Sequence, residues 1–390
     1  MRTLGVVTTS RADYGIYLPL LRRIQAEPEL ALRLLVTGMH LSPRFGMTVH
    51  AIEADGFEIA ERVKMLSNSD SPEAVAKSMA RGATGFSEVF SRSRPDLLVV
   101  LGDRFEMHAA ALAALPFKIP VAHIHGGELT EGAIDDALRH SMTKLSHLHF
   151  AATQEYGRRL VQMGEEPWRV TVSGAPSLDN LASVKLLTAA ALESRFGLRV
   201  MPETLLVTFH PATLEHEDAG SQAAELLAAL RASGRPVVFT MPNADTGGRA
   251  IRERIKRFVR EDPSAQAVES LGTEGYFSVL ALCAAMAGNS SSGLLEAPSF
   301  GLPVVNVGSR QLGRARGVNV IDVGNGREEI EEGIRRATDP AFRKHLVGMA
   351  NPYGDGKASR RIVAKLAEVP LSGRLLTKRF HDIAFPEVRL

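Results

Sequence analysis

Short apolar runs alternate with stretches of helical periodicity along most of the chain, and that alternation predicts repeated βαβ units built around parallel sheets. The apolar runs at 4–8, 32–37, 96–101, 121–124, 149–151 and 170–172 read as strands, with helices at 17–26, 72–90, 104–114 and 133–145 between them. A loosely helical stretch, 177–200, separates this set from a second one with strands at 204–208, 236–240, 266–268, 303–307 and 319–323. The pattern predicts an α/β protein of two doubly wound, Rossmann-like domains facing a cleft. The expected division is 1–175, 176–365 and a C-terminal tail, 366–390, packing back toward the N-terminal domain.

Composition narrows the partners. A chain of 390 residues, 45% of them hydrophobic, is long enough for two cores. Lys and Arg number 46 against 44 Asp and Glu, a formal charge of +2, and aromatic residues make up 6%, so neither a basic surface nor stacking platforms for nucleic acid are expected. The single cysteine, Cys283, excludes an internal disulfide and a cysteine metal cluster, and its Ala-rich surroundings predict burial. No basic start followed by a hydrophobic stretch and no apolar run of membrane-spanning length stands in the chain, which predicts a cytoplasmic protein without membrane association.

The chemistry concentrates at 120–141, PVAHIHGGELTEGAIDDALRHS, which follows an apolar strand as ligand-binding loops of open α/β sheets do. Its two glycines are expected to let backbone approach a ligand. His123 and His125 alternate, so they are expected to share one strand face. One reading is a metal site completed by Glu128, Asp135 or Asp136. The preferred reading is a proton-transfer site in which Glu128 and Asp135 have separated pKa values.

Other strand ends add candidates. The loop 8–14 supplies Arg11 as a partner for a base or phosphate, with a capping role for Asp13 as the plainer alternative. In GDRFE, 102–106, an ion pair with Arg104 is expected to keep Asp103 charged, the alternative being an N-cap. His210, in VTFHPAT, is placed to enter the cleft or to cap. Gly288–Pro298, GNSSSGLLEAP, offers amides at a helix start and three hydroxyls, Ser290, Ser291 and Ser292, for a diphosphate, with Glu296 for ribose hydroxyls.

Taken in order, GDRFE, HIHGGE, IDDALRH, TFHP, GNSSSGLLEAPSFGLPVVNVGSRQLGR and NPYGDGKAS resemble the UDP-N-acetylglucosamine 2-epimerases, particularly the hydrolysing branch that feeds sialic acid and related nonulosonic acid synthesis. The likeness covers about residues 1–368. It implies a glycosyltransferase-B-like fold, with the nucleotide held mainly by the C-terminal domain and a final helix crossing back. It also implies loss of the carbon-2 proton with anti elimination of UDP, giving a glycal, and addition of water to release N-acetylmannosamine. By match to the motifs, Asp103, Asp135 and His210 are the expected catalytic groups. Arg11, His40, Arg104, Asn289, Ser290, Ser291, Ser292, Glu296 and Arg310 are the expected substrate and nucleotide contacts. Relatives often carry Glu where this chain has His125, so His125 itself or Glu128 takes that role. No metal and no cofactor is implied; the expected partners are a UDP-linked N-acetylhexosamine and further copies of the chain in a homodimer or homotetramer. A UDP-linked 2,4-diacetamido-2,4,6-trideoxyglucose, a GDP-linked sugar of the legionaminic acid route, a non-hydrolysing epimerase and a retaining glycosyltransferase are the alternatives.

Overall fold

The computed structural model describes residues 1–69, 71–130, 134–210, 219–241, 248–269 and 271–383. They divide into two compact units. One comprises 1–128, 134–179 and the segment returning from Gly354, the other Asn180–Tyr353. The return therefore starts ahead of the expected boundary at 365. The helix Ala358–Glu368 is capped by Asp179, whose carboxylate accepts from the amides of Ala358 (2.8 Å) and Ser359 (2.6 Å). Its Ile362, Val363 and Leu366 join the first unit's core. A cap and an apolar face on the same unit settle where the helix belongs.

In the first unit the strands β1 (Arg2–Thr8), β2 (Leu30–Thr37), β3 (Ile59–Val63), β4 (Leu97–Leu101), β5 (Val121–Ile124), β6 (Leu148–Ala151) and β7 (Val170–Val172) form a parallel sheet ordered β3-β2-β1-β4-β5-β6-β7. In the second, β8 (Leu205–Thr208), β9 (Val237–Thr240), β10 (Ala265–Val268), β11 (Ala285–Gly288), β12 (Val304–Val307) and β13 (Val320–Val323) are ordered β10-β9-β8-β11-β12-β13, again parallel. Both sheets are buried on two faces, which is why β4, LLVVL, is a continuous apolar run. Along β8, Leu205 and Val207 enter one core and Leu206 the other, as the two-residue period of a strand requires.

Two strands escape the apolar-run criterion. β3, IAERV, is an edge strand paired only with β2 among the described residues, so its charged positions face solvent. β11, AMAG, is fully buried between β8 and β12, yet Ala and Gly are poor strand formers. Its smallness is a tertiary demand: Gly288 has φ +126°, and a Cβ there would collide with the Thr208 carbonyl. The first helix begins at Arg11 rather than 17, because Ser10 and Asp13 form a capping box that starts it early and carries Pro19 inside. Cys283 is buried, and burial pushes its thiol up to about 12. No helix among the described residues is long and apolar enough to cross a membrane.

Candidate active site

In each sheet the strand order reverses between two neighbours, β1 and β4 in the first unit and β8 and β11 in the second. Loops leaving the carboxyl ends of such strands diverge and open a crevice. The loops so placed carry Ser10, Arg11 and Asp13 after β1, Asp103 and Arg104 after β4, His210 after β8 and Asn289–Ser292 after β11. His125 and Glu128 follow the adjacent β5.

Arg139, on the helix Ile134–Leu145, is the hub of the first unit's cluster. It is 3% exposed, donates through Nη2 to Asp103 Oδ2 and through Nη1 to the His125 carbonyl (2.7 Å), and lies 3.7 Å from Glu128 Oε2. A planar guanidinium serves several acceptors at fixed angles, so one side chain ties β4, β5 and the helix together. Arg139 stands in the IDDALRH motif but is not among the candidates drawn from the sequence. Its signal was the spacing from Asp135, which puts the two one turn apart on the same helix.

The expected Asp103–Arg104 pair does not form. Consecutive residues at a helix entrance point apart: Asp103 turns to Arg139, while Arg104 Nε and Nη2 donate to Glu106 Oε2 (3.1 Å) and Oε1 (2.7 Å). Asp135 lies near both Asp103 and Arg104. Burial raises its pKa and the Asp103 carboxylate raises it further, against the opposing pull of Arg104 and Arg139. A carboxyl group that holds its proton more tightly than usual suits acid–base work near neutrality. Asp136 instead pairs with His140 on its own helix (3.5 Å).

His123 and His125 do not share a strand face. β5 ends at Ile124, and His125 adopts φ +64°, a left-handed conformation that breaks the alternation. His123 Nε2 donates to the Gly102 carbonyl at 2.7 Å, and burial lowers its pKa to about 3, so it is neutral and structural. His125 Nδ1 donates to Glu128 Oε1 at 2.5 Å. Its Nε2 is buried with no hydrogen-bond partner among the described residues. An imidazole whose Nδ1–H is held by a carboxylate is fixed in one tautomer and can exchange a proton at Nε2. Among the described residues, no three His, Cys, Asp or Glu side chains are grouped to hold a metal ion. Gly127 is also demanded by packing: a Cβ there would collide with the Tyr156 carbonyl on the helix Gln154–Gln162.

After β1, Asp13 serves the backbone, accepting from the amides of Thr9 (3.0 Å) and Ser10 (3.0 Å), as its capping alternative required. His40 is fully buried, with Nε2 3.0 Å from Thr8 Oγ1 and Nδ1 2.7 Å from Thr48 Oγ1. It braces this loop from below. Arg11, the first residue of the helix, is exposed.

In the second unit, Asn289 grips His210 by its backbone: Oδ1 accepts from the His210 amide (2.7 Å) and Nδ2 donates to its carbonyl (2.8 Å). The Asn289 carbonyl in turn accepts from Arg310 (3.0 Å) and Gln311 (2.8 Å). With Asn289 3% exposed, its side chain is a brace for His210. The expected helix start is a single turn, Ser292–Leu295, passing into a 3-10 turn at Ala297–Phe300. The amides of Gly293, Leu294, Leu295 and Glu296 are spent on Ser290, Ser291 and Ser292 carbonyls. So short a helix has little dipole to offer an anion, which leaves the segment Ser290–Ser292 itself as the part of this loop that could take one. Ser291 makes no side-chain cap. Tyr276, absent from the sequence-based candidates, lies beside the loop, its hydroxyl pKa raised by burial and by the nearby Glu296 carboxylate.

A family model described as UDP-N-acetylglucosamine 2-epimerase matches residues 22–367. A UDP-N,N'-diacetylbacillosamine 2-epimerase (hydrolyzing) of Legionella pneumophila is 38% identical over 378 residues, 97% of this chain and 99% of that protein. A GDP/UDP-N,N'-diacetylbacillosamine 2-epimerase (hydrolyzing) of Campylobacter jejuni is 35% identical over 384 residues, 98% of this chain and 99% of its own. Among solved structures, UDP-GlcNAc 2-epimerase from Neisseria meningitidis bound to UDP-GlcNAc has a TM-score of 0.81 at 21% identity, covering 95% of this chain and 100% of that one. At that identity the likeness is one of fold.

Proposed function

Because the chain belongs to the UDP-N-acetylglucosamine 2-epimerase family, we propose that it is a hydrolysing nucleotide-sugar 2-epimerase. The observation that carries the reading is the cluster around Arg139, which gathers Asp103, Glu128 and His125 beside an Asp135 of raised pKa. Elimination needs that set: a base for the carbon-2 proton, a group that returns protons, and fixed charge that keeps the reacting carboxylates in place.

In this reading the carbon-2 proton leaves to a group of the cluster as the bond from carbon 1 to the diphosphate oxygen breaks. The electron pair forms the double bond of a glycal and UDP departs with the other pair. Water then adds, hydroxyl to carbon 1 and a proton to carbon 2 on the opposite face. His125, through Nε2 and with Glu128 behind it, and Asp135 are the proton carriers; Asp103 is set by Arg139. His210, its backbone held by Asn289, is kept as a further catalytic group; the Ser290–Ser292 loop, Glu296 and Arg310 serve the nucleotide, with Arg11 and Arg104 as further cations.

UDP-N-acetylglucosamine is the donor expected from sequence. The two relatives named for diacetylbacillosamine favour a UDP-linked 2,4-diacetamido-2,4,6-trideoxyhexose, which we take as the working substrate. The test is incubation in heavy water with UDP-N-acetylglucosamine, UDP-diacetylbacillosamine and GDP-diacetylbacillosamine. Free 2-epimer, released nucleoside diphosphate and deuterium at carbon 2 are expected from the preferred donor. Epimerised nucleotide sugar without release would make the enzyme non-hydrolysing, and product without deuterium would rule out elimination.

A further inference from the structure

The end of the chain has no part in the chemistry above, yet it is tied to the helix that carries Asp135 and Arg139. Arg169, 1% exposed, is the anchor. Its Nη1 donates to the carbonyls of His147 (3.1 Å) and Leu375 (2.8 Å), its Nη2 to those of Arg374 (3.1 Å) and Thr377 (2.9 Å), and its Nε to Glu166 (2.8 Å). Every guanidinium N–H is thereby used, three of them on the returning segment. Past Thr377 the chain turns inward. Lys378 Nζ donates to the carbonyls of Thr143 (3.1 Å), Lys144 (3.2 Å) and Ser146 (2.6 Å) and lies 2.7 Å from Glu165 Oε2.

Thr143 and Lys144 belong to the last turn of the helix Ile134–Leu145, where carbonyls lack intrahelical partners and the helix dipole favours a cation. Glu165, fully buried, balances the charge and is also held by Lys144 (2.8 Å) and His149 (2.9 Å). The register of the strap is set two and three residues further on. Phe380 packs where a side chain on Gly164 would stand, and the His381 amide donates to the Gly164 carbonyl (2.9 Å).

We propose that Lys378 is a positioning residue for the active site: by gripping the C-terminal carbonyls of the helix Ile134–Leu145, it sets the height and rotation at which that helix presents Asp135 and Arg139. The proposal rests on the function proposed above. A helix of twelve residues moves as a rod, so slack at one end displaces groups at the other. A misplacement of about 1 Å at reacting groups costs about a hundredfold in rate.

The experiment uses the full chain with Lys378→Met and Lys378→Arg, at a temperature where circular dichroism shows each variant folded. Turnover, KM, UDP affinity and amide hydrogen exchange across 134–145 are measured. Lys378→Met is expected to lower kcat by about ten- to a hundredfold with KM and UDP affinity unchanged, and to speed exchange in the helix. Lys378→Arg, which keeps a cation at the carbonyls, is expected to recover most of both. Unchanged kcat and exchange in Lys378→Met would overturn the proposal, as would a kcat loss no larger than the loss of folded protein. If the wild type turns over no nucleotide sugar, the functional reading fails, and exchange still decides whether Lys378 fixes the helix.

Discussion

Replacing Arg139 with methionine removes one cation from between two carboxylates and leaves the rest of the helix in place. Asp103 loses one hydrogen-bonded partner, Glu128 loses a charge at 3.7 Å, and the carbonyl of His125, a residue of left-handed conformation, loses a donor. Removing one member of a buried ion pair costs about 3–5 kcal/mol. Here the lower end applies: the Asp103 side chain is 22% exposed, so water screens its share, and the Glu128 contact is longer than a hydrogen bond. A loss of about 3 kcal/mol in urea unfolding is expected. Turnover should fall by about 10²–10⁴, the usual contribution of placed acid–base groups, because Asp103 and His125 are no longer held. UDP affinity, read by calorimetric titration, should not follow. Arg139→Lys restores the charge but serves one acceptor as a point donor, so it should fall between. Methionine at 139 with stability within about 0.5 kcal/mol of wild type, the range of a neutral surface change, and undiminished turnover would refute the hub.

Asp103→Asn removes a negative charge that raises the pKa of Asp135, so the limb of the pH–rate profile belonging to Asp135 should move to lower pH; a limb that stays put would separate the two residues. Ser291→Ala and Glu296→Ala should each weaken UDP binding by about 1–3 kcal/mol in calorimetry, and unchanged affinity in both would remove this loop from the nucleotide site. Glu165 is pushed upward by burial, but His149, Lys144 and Lys378 outweigh that and hold it at about 2, below its unfolded value. Its contribution to stability is therefore present above about pH 5 and lost as pH falls toward 2. Glu165→Gln should cost about 3 kcal/mol at pH 7 and flatten that acid dependence in denaturant titrations, a parallel pH profile being the contrary result.

The parallel α/β plan was legible because two-sided burial writes continuous apolar runs into strands such as β4, whose residues are all buried. The loops that carry chemistry were legible too, since charged residues and glycines cluster where such strands end. Strand order was not, and it decides which loops meet: β4 lies beside β1, so Asp103 and the Arg11 loop flank one switch point although they are far apart in sequence. β11 was hidden because its small residues answer to the Thr208 backbone opposite, a constraint with no local periodicity. The same division runs through the site. Local sequence supplied Asp103, His125, Glu128 and Asp135 as residue types, but adjacency suggested Arg104 for Asp103 and alternation suggested a shared face for the histidines. Side-chain direction and the end of β5 at Ile124 overruled both, giving Asp103 to Arg139 and His125 to Glu128. The tail shows the limit most plainly. Lys378 stands in an unremarkable polar stretch, and its meaning arises only because folding brings it to the C-terminal carbonyls of a helix more than two hundred residues earlier.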